Sequence, residues 1–189
     1  GRDPRAIALA PGCEDCLNSI FFGTEFQRIT DSKVVMPIEL DELDRRILRA
    51  LQEDGRMQNT ELAQAIGLSP SPCLRRVRLL EQAGVIERYV AVVNPAAVGY
   101  PQTLFTRVWL TAQDADTIDR FIAAMERLPQ VMECYIMLGE CDAMLRVVVE
   151  DLDDYRRFQT RHLTRANGIQ NVKTDLPSQV VKRSYAMPI

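Results

Sequence analysis

Apolar positions between residues 41 and 86 recur every three or four residues, which predicts three short amphipathic helices. Asp41 is the expected N-cap of the first helix, which ends near residues 54–55, and Asn59 or Thr60 caps the second. Gly67 allows a tight turn between the second and third helices. Such a pair is a helix-turn-helix, whose second helix can enter the major groove of DNA.

The third helix, starting near residues 71–72, has two stripes of opposite character. Its inward stripe is small or apolar and consists of Cys73, Val77, Leu80 and Gly84. The nearly opposite stripe is polar and consists of Ser71, Arg75, Arg78 and Gln82. Arg76 lies at the core border, where we expect an ion pair with an acid of the preceding helices. The alternative for the polar stripe is a solvated charged face.

The candidate DNA-binding residues lie at the start of this helix or along its polar side. They are Ser69, Ser71, Arg75, Arg76, Arg78 and Gln82. Ser69 and Ser71 are also the candidate N-caps, because Pro72 suits a first helical turn. Arg76 is included because of its position among the arginines, although its expected ion pair gives it a structural role.

The second half of the chain alternates strand-like and helix-like segments. Strands are predicted at 104–110, 131–138 and 143–149, helices around 118–125 and 152–163, and a last strand region at 169–174 and 179–185. This order is β-α-β-β-α-β, the split ferredoxin-like arrangement of an α+β fold. Helices cover one face of such a sheet. The other face would carry Val108, Ile136 and Val147 or their alternates, and we expect a partner chain to cover it.

The chain divides into three predicted parts. Residues 36–99 form the helix-turn-helix domain, with a wing or linking strand at 86–93 and a hinge at 95–101. Residues 100–189 form the β-α-β-β-α-β domain. Residues 1–35 lack a sustained period and are expected to be dispensable, as a flexible or non-native extension that ends before Met36. The alternative is a docking arm, whose removal would impair folding or assembly.

Composition and charge narrow the function. The chain is 47% hydrophobic and 6% aromatic, which indicates an aliphatic core, and no apolar run approaches the ~20 residues of a membrane span. An odd count of five cysteines and the lack of a secretory signal favour reduced thiols and a cytoplasmic location. The net charge is −3, whereas residues 69–90 hold four arginines against two acids. DNA binding would therefore depend on local charge and on several copies acting together.

The sequence offers little that favours catalysis or a metal. Cys13 and Cys16 have the spacing of metal ligands, but no second pair follows and His162 is the only histidine. His162 shares a helical stripe with Tyr155 and Phe158, so we expect a packed histidine. No nucleophile–base pair or phosphate loop is apparent. We therefore expect no enzyme activity, no metal and no cofactor.

The order of these motifs resembles the Lrp/AsnC family of transcription regulators. The resemblance covers residues 40–189 and is carried by segments 40–48, 62–63, 67–73, 75–78, 84–86, 133–134, 139–142 and 181–188. It implies a homodimer that assembles to a tetramer or octamer, a palindromic double-stranded DNA operator and a small amino acid effector.

The resemblance also places the effector where dimers meet, near the turn at 139–142. Gly139 would allow close approach of backbone to the ligand, and Asp142 would accept hydrogen bonds from its ammonium group. Met137 and Leu152 are the candidates for side-chain selectivity. Gly and Asp are also ordinary turn residues, so a plain β-turn is the competing interpretation.

Two other functions are compatible with such a fold. Some decarboxylases of the haem pathway resemble this family, but a lone histidine and an intact arginine helix argue against that reading. The second alternative function is a stand-alone amino-acid sensor that has lost DNA binding. The preserved polar stripe argues against this hypothesis.

Overall fold

The computed structural model describes residues 39–189, which separate into two compact units. The first contains the described residues up to Tyr89 together with Ala186–Ile189, and the second is Val90–Tyr185. The proposed boundary near residue 99 thus falls inside the second unit, and the last four residues belong to the first. The predictions for residues 1–35, and for Cys13 and Cys16, lie outside the described residues.

Three helices form the first unit: α1 Glu42–Glu53, α2 Asn59–Ile66 and α3 Pro70–Gln82. Asp41 caps α1 as predicted, in a capping box with Asp44. Gly67 ends α2 in the left-handed conformation, at φ 77°, which a glycine adopts without strain. The cap of α2 is Gln58 rather than Asn59 or Thr60, because its backbone remains extended while Asn59 is already helical.

The core of this unit is small and aliphatic. Its buried members are Ile47, Leu48, Leu62, Ala63, Ile66, Cys73 and Leu80. Cys73 and Leu80 confirm the inward stripe of α3, and Val77 packs beside them. The end of the chain joins this core: Ile189 packs against it, and the Gln52 side chain hydrogen-bonds to both the N–H and the carbonyl of Met187.

The second unit has the predicted β-α-β-β-α-β order. Its elements are β1 Gln102–Leu110, α4 Ala115–Glu126, β2 Val131–Ile136, β3 Ala143–Val149, α5 Leu152–His162 and β4 Ile169–Asp175. The strands form one antiparallel sheet in the order β2-β3-β1-β4. Asp114 and Asp151 cap the two helices through their side chains.

The two faces of this sheet differ. Val108 and Val147 are fully buried in the core on the helix side, where Ile136 also packs. The alternate residues therefore form the other face, which carries no helix of the Val90–Tyr185 unit. This face combines aromatic, apolar and paired charged side chains: Phe105, Arg107, Trp109, Glu133, Met144 and Arg146. Arg146 bonds to Glu133 at 2.7 Å and holds the pKa of that carboxyl below its ordinary value.

Two predicted strands are absent from the described chain. Residues 86–93 and 179–185 form no strand, although Val90, Val92 and Val181 suit one. A strand needs a neighbouring strand, and neither segment has one among residues 39–189. Their valines are consequently exposed, from 57% at Val93 to 88% at Val181. The helix predicted around 152–163 ends at His162, and Gly168 closes a separate short 3-10 turn.

Among residues 39–189, no helix combines the length and apolar character that crossing a bilayer requires.

Candidate DNA-binding face and effector loop

The polar stripe of α3 points into solvent. Ser71, Arg75, Arg78 and Gln82 are all exposed, whereas Cys73 on the opposite side is completely buried. Together with Leu74 and Leu79, the stripe lines a shallow groove of about 390 Å³. Two guanidinium groups thus share one open surface with short polar side chains and two leucines, an arrangement that suits the edges of bases and phosphates.

Ser69 and Asn59 position the start of α3. Ser69 is the N-cap residue by its backbone, but its side chain makes no capping hydrogen bond. Asn59, which was expected only as a cap of α2, instead donates from Nδ2 to the carbonyl oxygen of Pro70 at 2.9 Å. The bond joins the first turns of α2 and α3, and such a contact across the turn gives no signal in the local sequence pattern.

Arg76 joins α3 to the start of α1 through ion pairs. Its Nη1 lies 2.8 Å from Asp41 Oδ2 and 2.8 Å from Asp44 Oδ1, both at the start of α1. The side chain is 25% exposed. The predicted ion pair with an acid of the preceding helices is confirmed. The assignment of Arg76 to the DNA-binding set stays a prediction, and the position of Arg76 on the helix turns its side chain toward α1.

Arg76→Ala is expected to lower the melting temperature by several degrees, because it releases α3 from the start of α1 and leaves two carboxylates without their shared partner. Thermal unfolding followed by circular dichroism measures the change. Arg75→Ala is the matched control, since Arg75 is exposed. Equal melting temperatures for the two variants would contradict the structural role of Arg76.

The stabilisation by Arg76 should also depend on pH. The N–H of Asp44 and the guanidinium of Arg76 hold the pKa of Asp41 below its ordinary value of 3.8. A carboxyl whose pKa is lowered by folding stabilises the protein above the unfolded value, and this is lost as the pH falls through the folded value. The difference in the free energy of unfolding between the parent and Arg76→Ala should therefore be steady near neutral pH. It should shrink in acid, below pH 3.8.

The predicted effector residues Met137, Gly139 and Asp142 lie in the loop that joins β2 to β3. Met137 N–H donates to the carbonyl of Asp142 at 2.9 Å, which closes the loop. Trp109 Nε1 donates to the carbonyl of Glu140 at 2.7 Å and ties the loop to β1. We call residues 137–142 the effector loop.

Asp142 is the anchor of the effector loop. Its Oδ2 accepts from Leu110 N–H at 2.7 Å, and its Oδ1 accepts from Gln113 Nε2 at 2.7 Å. A carboxylate offers about four lone-pair positions, so both oxygens retain capacity for a ligand. The sequence did not reveal this second role, because Leu110 and Gln113 are remote from Asp142 along the chain.

The tip of the effector loop is open. Leu138 is 83% exposed, and a Cβ added to Gly139 would meet no atom within 4 Å. Within the described part of the chain, the N–H groups of Leu138, Gly139 and Glu140 donate no backbone hydrogen bond. Unpaired N–H groups beside an acidic side chain provide donors for a carboxylate and an acceptor for an ammonium group.

Leu152 is not brought to the effector loop within one chain. It begins α5, beyond the far end of β3, whereas the loop precedes the first residue of that strand. Seven residues of strand span about 20 Å. Only a second chain could place this side chain beside Met137 and Asp142.

His162 is a packed histidine, as predicted. Its ring centroid lies 5.4 Å from that of Phe158, and its carbonyl accepts from Asn167 Nδ2 at 2.7 Å. Both contacts are structural. The three free thiols of the described chain are Cys73, Cys134 and Cys141.

Comparisons with known proteins agree with this architecture. A family model described as "Winged helix-turn-helix DNA-binding" matches residues 40–87, and one described as "Lrp/AsnC ligand binding domain" matches residues 103–187. The chain is 42% identical to the Leucine-responsive regulatory protein of Rhizobium meliloti over 156 residues, 82% of this chain and 100% of that protein.

Solved structures extend the likeness to the fold. A Neisseria meningitidis transcriptional regulator in complex with L-Met is 34% identical with a TM-score of 0.76, over 79% of this chain and 96% of that one. An AsnC family regulator from Agrobacterium tumefaciens is 36% identical with a TM-score of 0.75, over 79% and 97%. These relatives are regulators rather than enzymes. The chain therefore belongs to the Lrp/AsnC family: it is a DNA-binding transcription regulator with an amino-acid-binding domain.

Proposed function

We propose that the chain binds a palindromic operator as a homodimer, or as a tetramer or octamer of such dimers, with one α3 helix in each half-site. Ser69, Ser71, Arg75, Arg78 and Gln82 are the residues that face the DNA. A small apolar amino acid in the effector loop changes this binding. The regulator works in the cytoplasm, beside the chromosome, where the free thiols of Cys73 and Cys141 stay reduced.

The observation that carries the DNA-binding part is the orientation of α3. Arg75 and Arg78 are exposed on one surface, while Arg76 is held away from it by Asp41 and Asp44. Arginine presents two parallel donors to guanine O6 and N7, and the same planar fork can bind two oxygens of a phosphate. Because the whole chain has a net charge of −3, this surface supplies the local attraction that the protein as a whole lacks.

The β-rich unit supports assembly. One sheet face has no helix of its own unit, and it presents large side chains such as Phe105 and Trp109. The valine-rich segments at 86–93 and 179–185 lack a neighbouring strand within the described residues. A second chain can cover the face and pair the segments, which brings two α3 helices together for two half-sites.

Multi-angle light scattering is therefore expected to show at least twice the monomer mass at micromolar concentration. The physical reason is the sheet face without helices, whose aromatic and apolar side chains would be costly to expose in a monomer. Phe105→Glu should shift the mass toward the monomer, and Phe105→Leu is the apolar control. A monomeric parent protein would contradict the assembly proposal.

The effector part rests on the effector loop. Its free N–H groups and Asp142 complement the two charged ends of an amino acid, and Met137 and Leu138 are exposed apolar neighbours. Relatives are named leucine-responsive, and one neighbour was solved with L-Met, which supports an apolar ligand such as leucine or methionine. The ligand alters DNA binding only if it prefers one assembly state over another.

Mobility-shift titration of the DNA upstream of its own gene tests the proposal. The parent protein should shift this DNA at nanomolar to micromolar concentration, and one apolar amino acid from a panel of common ones should move the midpoint. A protein that binds amino acids but no DNA would be a stand-alone sensor. Mobility shifts that no amino acid changes would contradict only the effector part of the proposal.

A further inference from the structure

Two leucines are exposed on the surface of α3 that carries the arginines. Leu74 is 38% exposed and Leu79 is 52% exposed, whereas the adjacent Leu80 is only 3% exposed. Both exposed leucines line the same groove as Arg75 and Arg78. The polar stripe is thus a mixed surface, in which two branched apolar side chains accompany the two cations.

The spacing places one leucine beside each arginine. Leu74 and Arg78 are four residues apart, and so are Arg75 and Leu79. Residues four apart on a helix are surface neighbours, with Cβ atoms about 5–6 Å from each other. The rise between neighbouring bases is about 3.4 Å. Each pair can therefore touch bases that lie one or two steps apart in the same groove.

The chemistry of the major groove identifies what a leucine meets there. Thymine is the base that presents a methyl group in this groove, at C5, and apolar side chains contact it. The arginines favour guanine, through O6 and N7. A leucine that covers the methyl group removes two apolar surfaces from water at once, and it adds no charge or hydrogen bond.

We propose that Leu74 and Leu79 read thymine methyl groups next to the guanines contacted by Arg78 and Arg75. The inference rests on the proposed function, because it requires α3 to lie in the major groove. The inference predicts a feature of the operator sequence: each half-site contains thymines within one or two base steps of the guanines. The leucines add sequence discrimination. The arginines can also bind phosphates, and such contacts do not depend on the DNA sequence.

Replacing single thymines of the operator by deoxyuridine tests the inference, because this change removes one methyl group and keeps base pairing. The operator is first obtained by selection from random duplexes with the full chain. Removing the contacted methyl should weaken binding of the parent about fourfold per site, the effect of one buried methylene-sized group. Fluorescence anisotropy at fixed salt measures the dissociation constants.

Leu74→Ala and Leu79→Ala complete the experiment as double-mutant cycles. Each variant should bind the thymine operator more weakly, and should no longer distinguish thymine from uracil at its own position. Leu176→Ala is the matched control, since Leu176 is equally exposed, at 51%, but lies in the other unit. Melting temperatures should be unchanged in all three variants, because the side chains are on the surface.

The outcomes distinguish a failure of the leucine inference from a failure of the proposed function. If Arg75→Ala and Arg78→Ala weaken binding but uracil is neutral everywhere, the leucine inference is overturned and the proposed function stands. A selected operator without thymine near the guanines, or leucine variants that still distinguish uracil, overturns it too. If the parent selects no specific DNA, the proposed function and the inference fail together. A change in oligomeric mass with Leu79→Ala would assign that leucine to a contact between copies instead.

Discussion

Replacing Arg75 and Arg78 together by alanine is expected to abolish specific operator binding while the protein remains folded and assembled. Each arginine that reads a base contributes about 1–3 kcal/mol of discrimination. Well-separated contacts are roughly additive, so the pair accounts for about 2–6 kcal/mol, a loss of about 30-fold to 10⁴-fold in affinity. Both side chains are exposed, so the core of the first unit is untouched. Fluorescence anisotropy with the operator and with a scrambled duplex, at one salt concentration, measures the loss.

A matched pair of arginines separates base reading from general charge. Arg156 and Arg161 are exposed on α5, in the other unit, so Arg156→Ala with Arg161→Ala removes the same charge from a different surface. This control should retain operator affinity nearly in full. An equal loss in both double variants would mean that net charge, not α3, governs binding.

Lysine at positions 75 and 78 gives a finer distinction. Lysine preserves the charge but lacks the planar fork that pairs with guanine. We expect the Lys variants to keep the salt dependence of binding, which reports phosphate contacts, and to lose much of the preference for the operator. Full specificity in the Lys variants would show that the arginines contact phosphates alone.

The helices of the first unit were predictable because local and long-range signals agree there. Asp41, Gly67 and the stripe containing Cys73 each satisfy a local rule that the packed structure also requires. Even the position of Arg76 at the core border indicated its ion pair. The sequence did not show the bond between Asn59 and Pro70, because a contact between helix ends depends on how the helices cross.

The predicted strands divided into those that pair with a neighbouring strand among the described residues and those that do not. Residues 102–110 and 143–149 pair with each other, so their alternation led to the correct elements. The valines of 86–93 and 179–185 show the same β preference, but propensity does not identify a partner strand. The sequence also did not determine which sheet face the helices cover, because Phe105 and Trp109 on the open face are as hydrophobic as the residues that alternate with them.

The effector loop shows a similar limit. The turn at 139–142 was identifiable, but the hydrogen bonds from Leu110 and Gln113 to Asp142 join segments about 30 residues apart. Leu152 was grouped with the loop by its apolar character, and the length of β3 separates them. Composition near a turn does not reveal which chain supplies the rest of a site, and this matters most where sites lie between subunits.

Asp142→Asn is expected to abolish the response to the effector while leaving effector-free DNA binding close to that of the parent. The substitution removes the negative charge that attracts the ligand's ammonium group, and a charge-assisted hydrogen bond contributes about 1.5–3 kcal/mol. The asparagine oxygen can still accept from Leu110 N–H, so the effector loop keeps its anchor to β1. Asp142→Ala would remove both structural hydrogen bonds. Its effect on ligand binding could then not be distinguished from an effect on the structure of the loop.

Isothermal calorimetry across the common amino acids measures the effect, with Glu140→Gln as the control. Glu140 is an exposed carboxylate of the same loop, and its backbone carbonyl, not its side chain, accepts from Trp109. The parent and Glu140→Gln should bind one apolar amino acid, and Asp142→Asn should bind it at least about tenfold more weakly. Equal affinity in Asp142→Asn would remove Asp142 from the ligand's partners. A parent that binds none of the amino acids would contradict the effector role of the loop, because its free N–H groups and carboxylate would then have no ligand of this class.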